Sequence, residues 1–333
     1  MMNVRIVLLT VLVAVAGGAA WLLSHDNAEV VQTGPVILFA ELASSADQVD
    51  GVTIENSEGI VFKADRKSGK WLARHLAAEQ GFPVDTKALS TLISKLAQAN
   101  IIERKTSKAK NYPKLGVENL AEENAQSTLV TVTQGNQSWQ ALVGNIAKSQ
   151  RGTFVRLPGN QASLLIDQVL RPPAASADWL TEKVLPFAAD GLQQVELMRN
   201  AAAPLVLARV SAGEGSWQID TSAGNQPPIR RDQLVYPGVV GQTVAELTAF
   251  RYLAVEPYNR TRFDALTQAG TVTFTLTDNT QVFAHISEVD ELGQYRIWFD
   301  TDQPGAWLSD WIFVVSGYQG RAYLVDRPAL LAQ

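Results

Sequence analysis

The sequence predicts an α+β protein: an N-terminal transmembrane helix followed by two tandem β-rich units, each of antiparallel strands with one main packed helix. Three observations predict it. Residues 6–23 carry no charge. Beyond them, short stretches alternate apolar and polar residues around Gly- and Asn-containing turns, the pattern of half-buried antiparallel strands. The stretches also recur, Gly69-Lys70-Trp71 returning as Gly215-Ser216-Trp217 at an offset of 146 positions. A chain of 333 residues exceeds one typical domain and suits two.

The uncharged run comes first. As a helix rising ~1.5 Å per residue it would extend ~27 Å, close to the ~30 Å hydrocarbon core of a bilayer. A cleavable signal peptide is the competing reading, but its apolar core usually spans about 7–15 residues and ends in small residues. Here Trp21, Leu22 and Leu23 prolong the run past Gly17 and Ala20, which favours a retained anchor over residues 1–23. Arg5 precedes the run while Asp26 and Glu29 follow it, so the positive-inside rule holds the N-terminus in the cytoplasm and exports the body. Residues 24–47 are polar at both ends and read as a tether.

The body divides into units at 48–180 and 190–331. RPPAASAD reads as the linker between the copies, and residues 181–189 complete the connection to the second. Val52 and Ile54 of VTIEN fall on Val195 and Leu197 of VELMRN, and the hairpin IVFKADRKSGKW falls on LVLARVSAGEGSW. A helix follows in the first unit. Leu89, Leu92, Ile93 and Leu96 keep the i, i+3, i+4, i+7 spacing, with Asp85 as N-cap. Val240, Val244 and Leu247 lie 151 positions after Leu89, Ile93 and Leu96, and the same offset carries Tyr112 and Leu115 onto Phe263 and Leu266. Each unit ends in alternation again. Val130, Val132 and Trp139 match Phe274, Leu276 and Phe283; Val155 and Leu157 match Ile297 and Phe299. A strand leaving a tight Gly turn shows one face to the helix layer. Trp71 is therefore expected to be buried beneath Leu92 or Leu96, and Trp217 beneath Val244 or Leu247.

The stretch GKWLARHLAAEQGFPVDTKALSTLISKLAQANIIERKTSKAKNYPKLGV orders a Gly-x-Trp, a Pro-x-Asp entering a helix, and Tyr-x-x-Leu-Gly-Val. With Leu142-Val143-Gly144 and Phe154-Val155-Arg156 it resembles the uncharacterised bacterial family DUF4340 across about residues 50–180. The second unit resembles a diverged copy without the Leu-Gly-Val. The resemblance implies a single N-terminal membrane segment and an extracytoplasmic body, hence a bacterial inner-membrane protein with a periplasmic C-terminal body. It also implies company with ABC-type export systems of the gliding-motility kind. It supplies no catalytic residue.

Composition narrows the chemistry. The absence of cysteine removes disulfides, zinc-thiolate sites and Cys nucleophiles. A net charge of −5 argues against nucleic acid, whose phosphates need concentrated Lys and Arg. G-x-S-x-G, P-loop, G-x-G-x-x-G and H-E-x-x-H patterns are all missing from the sequence. His75 and His285 are far apart and read as strand or loop residues, and Asp290 and Glu291, as neighbours on a strand, would face opposite sides. No catalytic, cofactor-binding or metal-ligating residue is nominated, and no cofactor is expected.

Two features remain. Arg104, Lys105, Lys108, Lys110 and Lys114 crowd a Pro-bearing loop, which is either a solvated charge run or a contact for anionic lipid or an acidic partner. Trp307, Trp311 and Tyr318, with Trp298 and Tyr323 near them, form either core of the second unit or an aromatic groove for a glycan or a partner. On a helix Trp307 and Trp311 would share a face. The function expected is non-enzymatic: a membrane-anchored accessory or binding protein, with an ABC transporter permease or another envelope protein as partner. The alternatives are an extracytoplasmic glycan- or lipid-acting enzyme and a stand-alone glycan- or lipid-binding module.

Overall fold

The computed structural model describes residues 36–332, apart from 78, 150, 201, 211–216, 223–228 and 302–305. Strands β1 (Val36–Ile37), β2 (Gly51–Asn56), β3 (Gly59–Lys67), β4 (Lys70–Ala73), β5 (Phe82–Pro83), β6 (Asn100–Arg104), β7 (Thr128–Gln134), β8 (Gln137–Ile146), β9 (Thr153–Arg156) and β10 (Ser163–Ile166) form one antiparallel sheet. Its order is β1-β6-β10-β9-β8-β7-β2-β3-β4-β5. Helix α1 (Ala40–Ser45) precedes β2, α2 (Thr86–Ala97) joins β5 to β6, and the single turn α3 (Tyr112–Leu115) lies before β7.

Helix α2 forms where the periodicity puts it. Asp85 caps it by accepting from the amides of Lys87 and Ala88, and Leu89, Leu92, Ile93 and Leu96 are buried against the sheet. Residues 36–47, expected within the tether, are instead built into the first unit. β1 pairs with β6, and Leu42 of α1 is fully buried. Leu38 and Leu42 drive this, since they are buried in the core, while Val36 and Ile37 stay exposed on the edge strand β1. Among the described residues no helix is long and apolar enough to cross a membrane, and the anchor expected over residues 1–23 lies outside them.

The second sheet holds β11 (Leu192–Arg199), β12 (Leu205–Arg209), β13 (Trp217–Asp220), β14 (Ala254–Pro257), β15 (Gln268–Leu276), β16 (Gln281–Ser287), β17 (Tyr295–Asp300) and β18 (Trp311–Val315), ordered β13-β12-β11-β15-β16-β17-β18-β14. Helix α4 (Val239–Thr248) joins β13 to β14, the short α5 (Arg260–Asp264) follows β14, and α6 (Gly317–Ala322) follows β18. Read from β14 inward, this is the order of the first sheet from β6 to β4. Helix α4 stands where α2 does.

Register extends the match to individual residues. Trp71 pairs across the ladder with Arg66, and Trp217 with Arg209. Arg66 reaches back to the carbonyl of Asp47 at 2.9 Å, and Arg209 to that of Asp190 at 2.6 Å. One isolated bridge closes each half, Val84 with Leu180 and Leu234 with Leu331. On helix α4 Val240, Val244 and Leu247 are buried, as are Tyr112 and Phe263 in the turns that follow.

Two expectations need correction. The ladders pair Val52 with Val132 and Val195 with Phe274, so Val132 corresponds to Phe274, not to Leu276, and Val130 to Val272. Trp139 likewise corresponds to Val282 rather than Phe283. The slip of two along β15 preserves which side chains face the core, so alternation alone cannot detect it; on β16 the slip is one residue and sets Trp139 on the buried Val282 instead of the half-buried Phe283. The tryptophans differ too. Trp71 and Trp217 are half-buried, because each lies toward the end of its sheet: β13 is an edge strand, and β5 pairs with Leu72 and Ala73 but not with Trp71.

Candidate functional site

The aromatic residues of the second unit divide by position. Trp311 opens β18 and is 1% exposed, while Trp307 lies in the preceding 3₁₀ turn and packs against the core, so the two do not share a helix. Both meet Phe82 of the first unit edge-on, at centroid distances of 5.1 and 5.4 Å. Phe313 and Tyr252 complete the cluster, and the Tyr252 hydroxyl donates to the Thr181 carbonyl at 2.7 Å. This is a joint between the halves: Phe82 supplies the ring from one side and the second unit the other four. Tyr318, on α6, is 66% exposed and stands apart from it. Tyr323 is buried with its hydroxyl on the Leu247 carbonyl, and Trp298 stacks on Tyr258 and His285. The sequence gives no sign of Phe82, a lone aromatic in a two-residue strand.

The basic loop is ordered, and its cations point outward. Ser163 on β10 pins it, exchanging bonds with the amide and carbonyl of Thr106 at 3.0 and 2.9 Å, and Tyr112 donates to the Gln161 carbonyl. Arg104, Lys105, Lys108, Lys110 and Lys114 are exposed, and Lys105 pairs with Glu103. They share one end of β6 and the turn α3.

Two clefts flank the helices α2 and α4. One, of about 410 Å³, runs along the outer face of α2 beneath the segment Leu170–Pro173 that leads out of β10. Leu92, Leu170 and Trp179 form its apolar wall, and Lys87, Lys95 and Arg171 its rim. The second, of about 310 Å³, lies between β13 and α4, where Trp217, Ile219, Leu234 and Val240 give it an apolar side.

Titratable groups elsewhere serve the scaffold. Asp290 sits in the turn between β16 and β17, where the Gln294 amide first, then the Arg296 guanidinium and the Leu292 amide, hold its carboxyl below the usual range. Glu291 is exposed beside it. Burial lowers His75 and His285 from their ordinary value. Arg156 is 3% exposed and is satisfied by the carbonyls of Val117 and Asn160 and by the Asn119 side chain, with its guanidinium 4.5 Å from the centre of the Tyr112 ring. Among the described residues no group of three or more acidic or His side chains is placed to hold a metal.

The residues that carry the family resemblance are packing devices. Gly116 ends α3 at φ +67, in the left-handed region that favours glycine. A Cβ on Gly144 would stand 2.3 Å from the Leu115 carbonyl oxygen, so the Leu-Gly-Val turn lies directly on a bare stretch of β8. Arg156 then ties that turn to β9 through Val117.

No curated protein matches the chain, and no solved structure matches it. The family described as a domain of unknown function, DUF4340, matches residues 71–269, which take in most of the first sheet from β4 onward and the second sheet as far as the start of β15. The matched region thus runs into the second unit instead of ending with the first. It exceeds half of the chain, and the protein belongs to the DUF4340 family.

Proposed function

We propose that this protein is a membrane-anchored, extracytoplasmic accessory or binding protein that supports an ABC-type transport complex, its body held outside the inner membrane by the N-terminal run. The observation that carries this reading is the uncharged stretch of residues 6–23, with Arg5 before it and Asp26 after it. The body suits the role. Two sheets of one strand order, joined through a ring of aromatic side chains, make a stiff arm whose surfaces keep fixed relative positions. On this reading the repeated topology reflects an internal duplication.

The cation-rimmed cleft on α2 favours a second reading, a lipid-binding module that works alone. Cross-linking in intact cells followed by purification of the full chain in mild detergent separates the two. Specific recovery of permease subunits supports the transport role. Recovery of the chain alone, with bound lipid, supports the second reading.

A further inference from the structure

We propose that the cleft along α2 is a binding site for a single acidic phospholipid, taking the phosphate at its rim and the first carbons of the acyl chains along its wall. Its volume of about 410 Å³ is in the range of small-ligand sites. Charge sets the ligand. Lys87, Lys95 and Arg171 line the rim, and the acid among the lining residues, Asp85, already accepts the amides of Lys87 and Ala88 at 2.8 and 3.1 Å. The Lys95 ammonium is steadied by the Val169 carbonyl at 2.9 Å, with no carboxylate involved. The apolar wall is fixed as well, since the Trp179 indole donates to the Pro173 carbonyl at 3.1 Å. Leu92, Leu170 and Trp179 lie buried at the floor of the cleft and the half-buried Ala88, Pro172 and Pro173 at its accessible sides, so a phosphate carrying a hydrocarbon tail meets cations and apolar surface together, as a bare anion would not.

The second unit shows that the frame does not require these cations. At the helix offset of 151, Lys87 becomes Gly238 and Lys95 becomes Glu246, and the ladders that set Leu164 on Phe313, an offset of 149, carry Arg171 onto Gly320. There α6, which follows β18 as the segment 170–173 follows β10, packs onto α4. The basic rim therefore belongs to the first unit alone and is not a by-product of the topology.

Native mass spectrometry of the full chain from non-ionic detergent tests this, with phosphatidylglycerol, phosphatidylcholine or inorganic phosphate added. The expected result is one retained phosphatidylglycerol adduct, favoured over phosphatidylcholine by about tenfold or more, as two or three lysine-class contacts imply. Lys87→Gln with Lys95→Gln should lower it by about tenfold. Thr91→Trp, which fills the cleft from an exposed helix position and keeps its charges, should abolish it. Lys108→Gln with Lys110→Gln in the basic loop should leave it unchanged. Equal retention of the two lipids, loss only in the loop variant, or competition by inorganic phosphate alone at the lipid's concentration would overturn the assignment. An unchanged melting temperature in the double lysine variant excludes misfolding as the cause.

Discussion

Phe82→Ala should weaken the joint between the two sheets more than any other single truncation. The ring is fully buried and meets Tyr252, Trp307, Trp311 and Phe313 at centroid distances of 5.9, 5.4, 5.1 and 6.2 Å. Removing a buried phenylalanine costs about 3–5 kcal/mol. Edge-to-face partners add about 0.5–1.5 kcal/mol for a pair, so the expected loss is at the upper end, about 4–5 kcal/mol. At roughly 2–4 °C per kcal/mol for units of this size, the melting temperature should fall by about 8–20 °C. Because the four partner rings belong to the other unit, the loss should also separate the unfolding of the halves. Differential scanning calorimetry of the full chain reads both effects. A double-mutant cycle with Trp311→Ala should return a coupling of about 1–3 kcal/mol. A loss below about 1.5 kcal/mol with a single unchanged transition would refute the idea that this cluster holds the halves together.

Three further outcomes follow from the same geometry. Gly144→Ala drives a methyl group into the Leu115 and Gly116 carbonyls, at 2.3 and 2.7 Å, and should cost about 3 kcal/mol by denaturant unfolding, the upper end for overpacking. Trp71→Ala and Trp217→Ala remove half-buried rings and should each cost about 1–3 kcal/mol, below the range for a fully buried aromatic; equal losses in both would reflect their equivalent cross-strand pairing with Arg66 and Arg209. Burial holds His75 and His285 below the ordinary value of 6.5, so the unfolded chain binds their protons first. Stability should be complete above pH 6.5 and decline as the pH falls below it, and His75→Asn with His285→Asn should flatten the melting temperature between pH 6.5 and 5.

Much of the fold was legible because it rests on periodicity. The Leu89–Leu96 face, its Asp85 cap and the offset of 151 through Phe263 all appear in the structure as read. What escaped shows where periodicity stops. The match of β7 to β15 slips by two residues because Val130, Val132, Val272 and Phe274 all face inward, and a shift of two exchanges one inward residue for another. VILFAEL reads as part of a tether because its apolar residues are too few to show a period; of them Leu38 and Leu42 join the core, while Val36 and Ile37 stay exposed. The joint was invisible for a different reason: Phe82 sits in a two-residue strand, and its partners are more than 150 positions away. RPPAASAD read as a connector, yet its prolines wall the α2 cleft. Of the nominated residues, the loop cations stand together at the surface, whereas Trp311 went into the joint and Tyr318 stayed outside it.

The proposed function requires that the two-sheet body be held outside the inner membrane by the N-terminal run. The chain has no cysteine, so a single Ser107→Cys in the exposed basic loop gives one addressable thiol. Spheroplasts expressing that variant are treated with a membrane-impermeant maleimide, and membranes are then extracted with alkaline carbonate. The account expects the thiol to be labelled in intact spheroplasts and the labelled chain to stay in the membrane pellet at full length. A thiol protected until lysis, or a labelled chain released to the supernatant, would contradict it.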